Sequence, residues 1–146
     1  MNHAVIQIAM RYVHIICAII MFGGLLFSSI ALKPALKLLD DATRDMFEKA
    51  LTVRFTRVIW VCFAGLMVSG AYNWILLADD YKAMGPKGNA VIGIKVLLAV
   101  FTFIIILGRS IGFLRLSGKA CHLINLHLLA IIVLLAALLR YWRLDG

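Results

Sequence analysis

The chain has 146 residues, 64% of them hydrophobic and only 15% charged. Soluble domains average about 45–50% apolar and about 25% charged residues, so these proportions exclude an ordinary soluble protein and point to the membrane. The net charge of +8 would suggest a nucleic-acid partner in a soluble protein, but here the basic residues flank apolar runs, where orientation and anionic headgroups account for them; no nucleic acid is expected.

A helix needs about 20 mostly apolar residues to cross the hydrocarbon core. Four stretches meet or approach that length, at about 12–32, 58–78, 90–107 and 123–139. The expected fold is therefore all-α, a polytopic antiparallel four-transmembrane-helix bundle, with no length left for a second domain. The first stretch has about 21 apolar residues against roughly 7–15 in a signal peptide, so it reads as a retained span. Small residues in the spans (Gly23, Gly24 and Ser28; Gly65, Ser69 and Gly70; Gly108 and Gly112) predict close helix contacts.

The first connection covers residues 33–57. Asp40 and Asp41 can cap a helix running through Ala42, Met46, Phe47, Ala50 and Leu51, so the second helix is expected to start early and project from the membrane. The second connection, 78–89, contains Asp79, Asp80, Gly85, Pro86 and Gly88, which are loop signals. The third, 108–122, has no acid. On one side of the membrane lie Lys33, Lys37, Arg44, Lys49, Arg54, Arg57, Arg109, Arg115 and Lys119. On the other lie only Arg11, Lys82, Lys87, Arg140 and Arg143. The positive-inside rule then puts both termini outside the cytoplasm. An odd cysteine count, with Cys17 and Cys62 inside spans and Cys121 near one end, argues against a disulfide framework.

The first span carries the chemistry. Met10, His14, Cys17 and Met21 recur at alternating steps of four and three, which keeps them on one helical stripe. An imidazole in hydrocarbon needs a partner and is a functional candidate. Imidazole, thiolate and thioether together suit Cu(I) or haem iron better than a hard cation. From Met10 to Met21 the rise is about 16 Å, too long for one coordination sphere. His14 with Cys17, or Cys17 with Met21, are local pairs, and a third ligand must come from another helix. Counted from the span ends, Met67 lies level with Met21, whereas Cys62 is deeper and fits less well. The bland alternative is that Met and Cys simply fill tight helix contacts.

Lys95 lies near the outer end of the third span. It either snorkels to the interface or serves as a fixed cation for a haem propionate or a lipid phosphate. Tyr72 and Trp74 fit an interfacial aromatic belt. Asn73, at similar depth, is a candidate hydrogen-bond partner for His14 or Lys95. His127 enters the fourth span from the opposite face, about 17 Å from the level of His14 on a core near 30 Å, which disfavours a shared bis-His haem. His3 and His122 read as solvated. The spans hold no carboxylate, and the chain has no phosphate loop, zinc-binding HExxH or nucleophile elbow. No catalytic residue is assigned, and any enzymatic reaction would fall to a cofactor.

The motifs Arg11-Tyr12-Val13-His14-Ile15-Ile16 and Phe22-Gly23-Gly24-Leu25-Leu26-Phe27 resemble the opening helix of small CopD-like bacterial membrane proteins. Arg54-Phe55-Thr56-Arg57 with Gly70-Ala71-Tyr72-Asn73 is similar to their second helix, Lys95-Val96-Leu97 to the third, and the run from Asn125-Leu126 to Leu135 to the fourth. The resemblance covers most of the chain and implies a four-helix inner-membrane protein associated with copper handling. A looser resemblance is to HemJ-type membrane protoporphyrinogen oxidases. Their second histidine, before the Ile-Lys of helix 3, is replaced here by Gly93, and their motif after helix 1 is replaced by Ile30-Ala31-Leu32-Lys33-Pro34.

The expectation is a non-enzymatic protein binding copper or haem b near His14. Cys17, Met21, Met10 and Met67 are metal-ligand candidates, and Lys95, Asn73 and Tyr72 are cofactor-side candidates. The alternatives are a b-type haem redox protein, or a structural subunit meeting another membrane protein or a second copy of itself.

Overall fold

The computed structural model describes residues 2–110, 113 and 117–145. Among the described residues every regular element is helical: α1 (Asn2–Phe27), a π-turn (Ser28–Leu32), α2 (Lys33–Leu36), α3 (Asp41–Leu76), α4 (Ala78–Ala83), α5 (Gly85–Ser110) and α6 (Gly118–Asp145). Four stretches are long and apolar enough to cross a bilayer: His3–Leu36, Asp41–Leu76, Gly85–Gly108 and Ala120–Trp142. Only 6–11% of each apolar window is buried within the protein, and Ile19, Val61, Leu97 and Leu134 stand 59–72% exposed. Such surfaces are tolerable only with lipid as solvent. The chain is an all-α, multi-pass membrane protein in contact with the bilayer. It divides into two compact units, Met1–Asn73 and Trp74–Gly146.

In the first unit the helix outruns the predicted span at both ends. It begins at Asn2 rather than near residue 12, and it does not stop at the Lys33-Pro34 pair. Proline removes one backbone donor and crowds the carbonyl four residues back. Here the preceding turn widens to a π-turn, with the Lys33 N–H bonding Ser28 O, so the helix passes through Pro34 to Leu36. The connection shrinks to residues 37–40, closed by tight bonds such as Leu38 N–H to Ala35 O at 3.1 Å. Asp40 then starts α3. Its carbonyl accepts from Arg44 N–H and its Oδ2 from Thr43 N–H, both at 2.9 Å, as an N-cap should. The bonds from Thr43 hold the Asp40 carboxyl below its ordinary value of 3.8. With 36 residues, α3 is about 54 Å long, well beyond a core of about 30 Å. It starts early, at Asp41, as the cap predicted.

In the second unit the expected loop is mostly helix. α4 is a short helix, and Gly85 at φ +68 reverses the chain directly into α5. Only glycine takes that left-handed turn without strain. Pro86 falls in the first turn of α5, where its missing N–H costs nothing. Thr102 on α5 and Asn125 on α6 are buried, and the backbones of the two helices run close together. Thr102 bonds its own helix at Leu98 O, 2.8 Å away. Gly112 and Arg115, which entered the small-residue and charge readings, lie outside the described residues.

Candidate functional site

The site is built on the facing stripes of α1 and α3. Contacts step backward along α3 as they step forward along α1. His14 meets Ser69 and lies against Gly70, Cys17 lies against Gly65 and Cys62, and Gly24 sits beneath Phe55. The helices are therefore an antiparallel pair. The glycines set the approach. A Cβ on Gly65 would fall 2.7 Å from Cys17 Sγ, one on Gly24 2.6 Å from the Phe55 ring, and one on Gly70 3.3 Å from His14 Cε1. Gly23, by contrast, faces open space. Close packing and hydrogen bonds, rather than a hydrophobic force, hold helices together in lipid.

His14 is half-buried, and its Nδ1 lies 3.0 Å from Ser69 Oγ. Ser69 is fully buried, and its hydroxyl donates to Gly65 O one turn back at 2.5 Å, the usual back-bond of a helical serine. With that proton committed, Ser69 accepts from His14 Nδ1–H. The network thus puts a proton on Nδ1 of His14. A hydrogen bond on the far nitrogen is how proteins orient a ligating imidazole.

One turn along α1 from His14, Cys17 faces Cys62 across the helix pair. Both are free thiols, and Cys62 is 3% exposed. Met21, one further turn along, is 4% exposed. Among the described residues no three His, Cys, Asp or Glu side chains converge as a metal cluster. What converges is a soft pair, two thiols, flanked by an imidazole and a thioether on one stripe.

The other expected residues separate. Met67, placed beside Met21 by depth, is 51% exposed. It is two residues past Gly65, about 200° round the helix from the α1-facing stripe. Cys62, discounted as too deep, is the residue that meets Cys17. Met10 is half-buried one turn before His14. Tyr72 and Asn73 continue the stripe of Cys62, Gly65 and Ser69 and are half-buried. Asn73 does not take the role of His14's partner: its Oδ1 is buried with no hydrogen-bond partner, and Ser69 bonds Nδ1 instead. Lys95 belongs to the second unit, where it lines a cavity with Tyr81, Ala136, Leu139 and Arg140. His127 is exposed and turns its Nδ1 to Leu123 O on its own helix, 2.8 Å away, a local solution to the polar group. His3 is exposed.

Ser69 and Cys62 are the members that sequence reasoning assigned to packing or set aside. Pairing α1 with α3 across a four-residue turn, rather than from estimated span ends, would have brought Cys62 to the level of Cys17. No family model, curated protein or solved structure matches the chain.

Proposed function

We propose that the chain is a bacterial inner-membrane protein of CopD-like type that holds Cu(I) between α1 and α3 and serves copper handling, with both termini on the periplasmic side. The observation that carries this reading is that Cys17 and Cys62 are neighbours on the facing stripes of α1 and α3, inside the span. Thiolate and thioether donors select Cu(I), a closed-shell ion that accepts two or three soft ligands. Cys17 and Cys62 would supply the thiolates, with Met21 and His14 a turn away on either side. Binding would release the thiol protons, so affinity should rise with pH. The donor set fits a soft ion and offers no carboxylate for a hard one.

The test is copper content after loading under reducing conditions. Wild type should retain about one equivalent per chain, and Cys17→Ser/Cys62→Ser should fall to background. His14→Ala should retain copper more weakly. Equal, negligible copper in wild type and the double variant would sink the metal reading.

The His14–Ser69 bond favours a second reading, a b-type haem protein with His14 Nε2 as an axial ligand. Haem-supplemented expression should then give a Soret band that disappears in His14→Ala but persists in Cys62→Ser. Absence of the band in wild type rules this reading out.

A further inference from the structure

The second unit has its own site, independent of the copper reading. A cavity of about 110 Å³ opens between α4, α5 and α6. Ala136 and Leu139 form its apolar wall, and Lys95, Arg140 and Tyr81 supply its polar groups. Among the described residues no carboxylate lines it. Of the two acids beside Tyr81 in sequence, Asp79 is held by Lys82 at 3.1 Å and Asp80 is exposed. Two cations share one cleft with no acid among its described lining residues. A water needs about 10–15 Å³ on this scale, so the space admits a whole phosphate group.

The position identifies the occupant. Arg140 is two residues from Trp142, where the last apolar stretch ends, and Tyr81 lies on the short α4 connector. The cleft thus sits at the end of the spans, where headgroups lie. We propose that it binds the phosphate of an anionic phospholipid headgroup. The Arg140 guanidinium offers a bidentate fork, Lys95 a point charge reached along its flexible stem, and the Tyr81 hydroxyl a further donor. Ala136 and Leu139 face the glycerol and first methylenes. Basic pockets between membrane helices bind acidic headgroups in this manner.

The full-length protein, delipidated in detergent, is titrated with phosphatidylglycerol, and bound lipid is counted by native mass spectrometry. Lys95→Gln/Arg140→Gln should bind about tenfold more weakly than wild type. Arg140→Gln alone, at an exposed position that folding does not depend on, should lose several-fold. Lys87→Gln removes an equal charge outside the cleft and should bind like wild type. Unchanged binding in the double variant, or an equal loss in Lys87→Gln, overturns the site. Titration with orthophosphate separates the sources: failure to displace the lipid supports the headgroup, and ready displacement overturns it in favour of free phosphate.

Discussion

The two hairpins solve one problem in opposite ways. Each must place polar side chains in helices that face lipid. In α5 and α6 the backbones run close together, Thr102 is satisfied by its own helix, and the charged groups gather at the end of the spans around a cleft. In α1 and α3 the backbones stay farther apart and side chains bridge the gap: His14 to Ser69, Cys17 to Cys62, Phe55 over Gly24. A closely packed pair leaves reactive groups no room within it. A pair bridged by side chains can hold them, provided glycines admit them. The chemistry of the first unit is thus a consequence of where Gly24, Gly65 and Gly70 fall.

The sharpest way to break that contrast is to fill a glycine. Gly65→Val should drive Cys17 away from Cys62 and cost about 1–3 kcal/mol, as overpacking does. Thermal unfolding in detergent would show it, with loss of Cys17–Cys62 oxidative cross-linking in a Cys121→Ser background. Gly23→Val, one residue from Gly24 but facing open space, should leave cross-linking unchanged.

A smaller effect is expected from Ser69→Ala, which strips His14 of its acceptor. Hydrogen bonds between membrane helices contribute about 0.6 kcal/mol on average and up to roughly 1.7; the fully buried Ser69 belongs at the upper end. Nitrogen-15 spectra of His14 should move from the Nδ1–H tautomer towards a mixture. In the second unit Thr102→Val should change little, because its hydroxyl serves only its own helix. Asn125→Leu should be neutral or stabilising, because Asn125 Oδ1 is buried without a partner.

The smallest effect lies outside the membrane. Asp40 has a depressed pKa, so its capping contribution is complete above the ordinary value of 3.8 and fades as pH falls through the lower folded value. Hydrogen exchange at Thr43 and Arg44 should quicken in Asp40→Ala at neutral pH. In wild type it should quicken only in that acid range, once the intrinsic pH dependence of exchange is removed.

The class of fold, the number of spans and the Asp40 cap were legible because apolar length and cap chemistry are local properties. Span ends were not. The first span was expected to end near residue 32, but a π-turn absorbs Pro34 and the helix continues, and Gly85-Pro86 read as a loop, but they start a helix. The first of these errors shifted the α1–α3 register by about four to nine residues, roughly 6–13 Å, and put Met67 beside Met21 while discarding Cys62. His14 was identifiable as a polar group in need of a partner. That the partner is Ser69 rather than Asn73 depends on register and on a serine hydroxyl already committed to Gly65, neither of which periodicity records.

The most direct test of the account is X-ray absorption at the copper edge of Cu(I)-loaded protein, comparing wild type with Cys62→Ser. The account predicts a first shell dominated by sulfur in wild type and the loss of one sulfur neighbour, or of bound copper altogether, in the variant. A shell of nitrogen and oxygen only, or a sulfur signal indifferent to Cys62, would contradict it.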